Sequence, residues 1–197
     1  MRIILGRIFQ VCRYLNLEVP SVINRSLGHY ENCRLALNVL RDEAEQITVR
    51  RNGTLWTCYA WDKYITEHIF VNGGYHSAEI QAVLSWMEYH QRMVKGRNAI
   101  INVGANIGTT SIPFAQQTGC NVLAIEPIEE NFKLLQRNIQ QNGLNDRITC
   151  VQTAIDFHHG IIQMALPQSN CGGAVIKQAG TEPGFAESDN VRKKTEV

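Results

Sequence analysis

The chain is 197 residues long, enough for one hydrophobic core or for one domain with an N-terminal appendage, and too short for two full domains. Its 19 basic and 18 acidic residues are scattered and give a formal net charge of +1, which leaves out the concentrated basic face that nucleic acid requires. A small or neutral partner is therefore expected, with no nucleic acid. Cys12, Cys33, Cys58, Cys120, Cys150 and Cys171 contain no CxxC spacing. They read as reduced thiols of a cytoplasmic protein, not as a disulfide framework or a metal site.

Residues 2–17 place Ile3, Ile4, Ile8, Val11, Cys12 and Leu15 at mainly helical spacing, with Arg2, Arg7 and Arg13 on other faces. The arginines break the apolar run, so this is read as an amphipathic helix packed on the body and not as a signal sequence. A membrane-surface helix is the alternative. No stretch is long and apolar enough for a membrane span. Pro20 breaks the chain, and residues 31–45 suit a second helix through Leu35, Leu37, Val39 and Leu40. From Ile47 to Tyr59 the period changes to two around Asn52-Gly53, the dipeptide of a tight hairpin whose central positions need positive φ.

Gly73 and Gly74 form a loop before a helix with a broad apolar face through Ala78, Ile80, Val83, Leu84, Trp86 and Met87, and Ser77 is placed to cap it. Lys95, Gly96 and Arg97 end this appendage. A βα alternation starts at Ala99: an apolar run (Ile100, Ile101, Val103), a glycine turn (Gly104, Gly108), a short helix, and a second run (Val122 to Ile125) ending on Glu126. Pro113 is tolerated only in a first helical turn, so the helix must begin near Thr109 or Thr110. Pro127, Glu129 and Glu130 open the next helix, whose stripe is Phe132, Leu135 and Ile139 and whose stop is Gly143. Residues 148–155 form a third strand. The order is βαβαβ, a parallel half-sheet. Beyond it, short strands at 161–166 and 174–178 flank a loop containing Asn170, Gly172 and Gly173, and the polar tail from Gly180 reads as flexible.

A strand, a glycine turn, a helix and a strand ending on an acid make a nucleotide-binding unit, since glycine admits close backbone approach and an acid can accept two ribose hydroxyls. An NAD site would have G-x-G-x-x-G. Here the turn reads Gly104, Ala105, Asn106, Ile107, Gly108, Thr109, so an NAD-dependent enzyme is the least favoured reading.

The run "INVGANIG" followed by "LAIEP", "NFKLLQRNIQQNG" and "VQTAI" resembles the FkbM-like S-adenosylmethionine-dependent methyltransferases, without a gap from about Ile100 to Ile155 and with a looser echo in "NCGGAVI". The resemblance implies an α/β fold, a Rossmann-like class I methyltransferase half-sheet with an N-terminal helical and β-hairpin appendage. It divides the chain into 1–98 (helices, hairpin and linker helix), 99–179 (an incomplete core that binds the cofactor, S-adenosylmethionine) and 180–197 (a polar flexible tail). The implied activity is O-methylation of a sugar or small metabolite, with a small-molecule or glycan acceptor. The competing reading is a truncated or non-catalytic module that binds S-adenosylmethionine or an adenosine compound.

The implied cofactor residues are Asn102, Gly104, Ala105, Asn106, Gly108, Glu126, Pro127, Ile128 and Ala154. Gly104 and Gly108 would pass close to the methionine part, with Ala105 and Asn106 in the same loop. Glu126 would hold both ribose hydroxyls, Ile128 would lie against the adenine and Ala154 would border the ring edge. Asn102 stands where the family normally has Asp, which removes a charge opposite the cofactor's ammonium group. The family continues past the second hairpin with a K-x-D-x-E-G-x-E segment, whereas this chain stops at Val197, so a fragment is expected. The strand at 100–103 then lacks a neighbour on one side, unless one of the hairpins shields it or the chain self-associates through that edge. His158 and His159, beside Asp156, read as a solvated turn. Tyr75, His76 and Glu79 could reach the cofactor or acceptor, and no catalytic base is named.

Overall fold

The computed structural model describes residues 29–90, 99–156, 160–167, 169–176 and 191–196. The readings made above for residues 2–17, Pro20, Lys95 to Arg97, His158 and His159 lie outside the described residues.

The appendage starts with α1 (His29–Glu43), which buries Leu37 and carries Arg41 in its last turn. That guanidinium donates to the carbonyls of Ala60 and Asp62 and to Glu67, so a helix end is tied to the loop after the hairpin. The hairpin pairs β1 (Gln46–Arg51) with β2 (Thr54–Tyr59) in antiparallel register. Asn52 and Gly53 both have positive φ, 48° and 81°, as the tight turn requires. After a short helical stretch, α2 (Ile65–Glu67), and a wider π turn over His68–Asn72, the loop at Gly73–His76 leads into α3 (Ser77–Tyr89).

Two readings of α3 change. Its N-cap is His76, with no side-chain cap bond, so Ser77 is a helical residue and not the cap. Its apolar face is also not a core face: Ile80 is buried while Val83 and Trp86 stay exposed, Trp86 by 57%. Sequence periodicity marks a face as apolar but does not supply the element that would cover it.

The parallel sheet has the order β3 (Ala99–Val103), β4 (Asn121–Ile125), β5 (Ile148–Val151). Two crossover helices join them, α4 (Ser111–Thr118) and α5 (Glu129–Gln141). Pro113 is the third residue of α4, where its missing N–H costs nothing. Leu134, Leu135 and Ile139 of α5 are buried, and Gly143 turns the chain at φ 66°. β5 is shorter than the expected 148–155: the last four residues find no strand partner, and Ile155 is exposed.

Two asparagines of α5 seven residues apart, Asn131 and Asn138, lie on its buried side. Asn138 Oδ1 accepts the Thr57 N–H at 2.7 Å while its amide donates to the carbonyls of Thr57 and Ile107. Asn142 makes the same pair of bonds with Leu55, accepting at 2.8 Å and donating at 2.7 Å. The outer edge of β2 is thus closed by side-chain amides acting as a substitute strand, which welds the appendage to the core.

The edge of β3 is different. Ile101 and Val103 are 66% and 59% exposed, and among the described residues β3 pairs with β4 alone. Neither hairpin covers it, because the remaining strands form a separate antiparallel sheet: β6 (Gln163–Pro167) at its centre, between β7 (Val175–Ile176) and β8 (Val191–Glu196). Within the tail expected over 180–197, Val191–Glu196 form the strand β8. Its composition is polar, but pairing with the already ordered β6 supplies hydrogen bonds to one edge of its backbone.

Candidate functional site

The parallel register places Val103 opposite Ile125 and Ile125 opposite Val151. The residues that follow β3 and β4 therefore leave the sheet side by side, at its carboxyl edge, where open α/β sheets hold ligands. The Ile125 carbonyl accepts from both Gly104 and Ala105 N–H at 2.9 Å, which folds the turn back over the end of β4. Gly104 has φ 76°, and a Cβ there would point into open space.

Asn106 adopts φ 50°, a conformation that asparagine tolerates better than most residues. Its backbone N–H donates to Glu126 Oε2 at 2.8 Å, its Oδ1 accepts the Ile107 N–H at 2.7 Å, and its Nδ2 donates to the Cys171 carbonyl at 3.1 Å. Glu126, 3% exposed, also accepts from Ile128 N–H through Oε1 at 3.0 Å. Burial pushes its carboxyl above the usual range, against the opposing pull of the Ile128 and Asn106 N–H groups and the Asn131 side chain. Each carboxylate oxygen retains acceptor capacity beyond these bonds.

These groups face a cavity of about 370 Å³. Asn102, Gly104, Asn106, Glu126 and Pro127 line it, and the structure brings these five together. The Asn102 amide donates to the Ser111 hydroxyl at 2.8 Å. Four other residues of the expected set are not among its lining residues. Ala105 is buried in the core. Gly108 is a packing glycine: a Cβ would lie 2.9 Å from Ile112 and 3.1 Å from Leu135. Ile128 packs under β6 with Met164 and Leu166, so its side chain is covered, and Met164 lines the cavity where Ile128 does not. Ala154 is half-buried in the segment after β5.

Sequence reasoning missed the groups that hold the far wall. Asp62 is fully buried, and its Oδ1 accepts from Tyr64 and Thr66 N–H, its Oδ2 from Cys171 N–H at 2.7 Å. Asn131 Nδ2 donates to the Cys171 carbonyl at 2.8 Å. The loop at 169–173 is thereby pinned to the appendage on one side and to the core on the other, and Cys171 and Gly172 line the cavity. The available signal was the pair of asparagines at helical spacing inside an apolar stripe. Asp62 left none, since its partners are backbone groups far along the chain.

Tyr75 and His76 also line the cavity. His76 is a non-glycine residue at φ 53°, edge-on to Tyr75 with ring centroids 4.1 Å apart, and its Nδ1 lies 3.4 Å from Glu79 Oε1. Such strain in a cavity wall is a common mark of a functional site. Two buried thiols are poor nucleophiles: burial raises Cys58 to about 12 and Cys171 well above its ordinary value.

No family model matches the chain. An uncharacterized protein of Haemophilus influenzae is 37% identical over 49 residues, a stretch that makes up 25% of this chain and 20% of that protein. Among solved structures, Pyrococcus horikoshii TYW2 in complex with MeSAdo is similar over 56% of this chain and 36% of that one, at 20% identity and a TM-score of 0.39. M. jannaschii TYW2 in complex with AdoMet gives 56%, 44%, 19% and 0.38 for the same quantities. The N-terminal domain of human METTL16 in complex with SAH gives 61%, 43%, 16% and 0.33. The chain thus spans less than half the length of each of these proteins.

Proposed function

We propose that this protein binds S-adenosylmethionine and transfers its methyl group to a hydroxyl of a sugar or other small metabolite, in the manner of the FkbM-like methyltransferases. The observation that carries this reading is Glu126: a buried carboxylate at the end of the second parallel strand, oriented by two backbone N–H groups and facing a cavity beside the Gly104 turn. That is the arrangement that accepts two ribose hydroxyls. The cavity volume falls in the range of small-molecule sites, about 300–1,000 Å³.

In this reading Glu126 holds the ribose, and Pro127 and Met164 offer apolar surface beside it. Gly104 and Asn102 border the methionine end. The bound cofactor supplies an electrophilic methyl on a sulfonium, and the protein's share of the catalysis is alignment and the exclusion of water. One observation favours a second reading, a binding module without turnover: β3, next to the glycine turn, has no outer neighbour among the described residues.

Calorimetry with S-adenosylhomocysteine, followed by a methyl-transfer assay with hydroxylated acceptors, separates the readings. Binding with turnover supports the transferase, and binding alone supports the module. Stabilisation by NADH and not by S-adenosylhomocysteine in a melting experiment would sink both.

A further inference from the structure

A second cavity of about 180 Å³ lies between the β1–β2 turn, the Gly73–Gly74 loop and α4. Tyr75 and Thr109 line both cavities, so one residue of the appendage and one of the core form the seam between them. The smaller cavity is rich in side-chain amides: Asn52, Gln81, Gln116 and Gln117. Part of their bonding capacity fixes the walls. Thr54 Oγ1 donates to Gln116 Oε1 at 3.1 Å, Gln81 Nε2 to Gln117 Oε1 at 2.7 Å, and Asn52 Nδ2 to the Gly73 carbonyl at 3.1 Å. The rest is unspent among the described residues: the amino groups of Gln116 and Gln117, and the side-chain carbonyls of Gln81 and Asn52.

Among the described lining residues Arg51 is the charged member, and no acidic residue accompanies it there. Its Nε donates to the Phe70 carbonyl at 2.9 Å and its Nη1 to the Arg50 carbonyl at 3.2 Å, while the guanidinium sits 5.1 Å from the Phe70 ring centroid. The charge is held in place with Nη2 left to donate. An oriented guanidinium without a carboxylate partner attracts one anionic group. Fixed amides that both donate and accept suit hydroxyls, which do the same.

We propose that this second cavity is the acceptor site, and that it takes a ring-sized hydroxylated molecule bearing one anionic group. The assignment as acceptor rests on the larger cavity holding the methyl donor; the ligand chemistry rests on the lining alone. Tyr75 and Thr109 then mark the seam across which the two ligands face each other.

The test is nuclear magnetic resonance titration of the full chain with D-glucuronate, D-glucose 6-phosphate and D-glucose, with calorimetry of S-adenosylhomocysteine on the same sample. At least one anionic probe is expected to shift the Trp56 indole and the Gln116 and Gln117 side-chain amides, and to bind about tenfold more tightly than glucose, a ratio worth about 1.4 kcal/mol. Whether the carboxylate or the phosphate binds better identifies the anion. Arg51→Gln should erase the preference, and Gln81→Ala, at an exposed helical position, should weaken all three probes without loss of fold. No binding by any probe, shifts elsewhere, or an unchanged preference in Arg51→Gln overturns the site. Probe binding without S-adenosylhomocysteine binding overturns its role as acceptor site and the donor reading together, whereas donor binding without probe binding overturns the second cavity alone.

Discussion

Two buried carboxylates, Asp62 in the appendage and Glu126 in the parallel-sheet core, solve the same problem with different consequences. Each is removed from water and each accepts hydrogen bonds from backbone N–H groups. Asp62 spends its oxygens on three such groups, joining segments more than a hundred residues apart, and does not line the larger cavity. Glu126 takes one N–H on each oxygen and does line it. A carboxylate enclosed by donors is a structural clamp, while one held by donors on one side and open on the other is pre-organised to bind.

The comparison breaks most readily at Asp62. Asp62→Ala strands two buried donors, the Thr66 and Cys171 N–H groups, and the part-buried Tyr64 N–H; at about 1–3 kcal/mol for each buried donor, urea denaturation should show a loss of about 3–5 kcal/mol. A loss below about 1 kcal/mol would remove the clamp from the account.

Glu126→Gln should act on binding before stability. Charge-assisted hydrogen bonds contribute about 1.5–3 kcal/mol, so affinity for S-adenosylhomocysteine should fall by about 10- to 100-fold in calorimetry. Unchanged affinity would leave Glu126 as a second clamp and dissolve the contrast.

The pH dependence sharpens the same point. The Glu126 carboxyl is raised by burial, so the stability linked to that shift is fully present below the unfolded value, about 4.3, and is lost as pH rises through the folded one. The melting-temperature advantage of the natural protein over Glu126→Gln should therefore shrink as pH rises from about 4. An advantage that grows over that interval contradicts the sign of the shift.

The smallest expected effect comes from adding a third carboxylate. Asn102 donates to the Ser111 hydroxyl at 2.8 Å, and an aspartate can accept from the same hydroxyl without rearrangement. Asn102→Asp should tighten cofactor binding a few-fold through charge attraction to an ammonium group, an effect of about 1 kcal/mol at a half-exposed site. Equal or weaker binding by calorimetry would count against it.

Much of this was legible in the residue order. Asn52-Gly53 forces a tight turn because both positions need positive φ, Pro113 sets the earliest start of its helix, and Gly143 ends the next one. The Gly104 turn and Glu126 could be placed at the sheet's carboxyl edge because parallel βαβ connections leave them nowhere else. The residues expected to touch the cofactor divided less cleanly. Gly108 and Ile128 share the motif with Gly104 and Glu126, but a motif does not state which side of the backbone is packed. Gly108 meets Ile112 and Leu135, and Ile128 is covered by β6.

Local rules acting over a few residues, namely dihedral limits, periodicity and crossover connections, suffice for the elements, their parallel order and the carboxylate at the strand end. The tertiary structure alone decided which faces are covered: the amides of Asn138 and Asn142 close the edge of β2, β3 keeps Ile101 and Val103 exposed, and a polar segment pairs with β6 as β8. It also decided that Asp62 and Cys171 meet to hold the cavity wall. Those outcomes depend on contacts between residues far apart in the chain, and the hydrogen-bonding partner of a buried group is set by what packs against it, not by its neighbours in sequence.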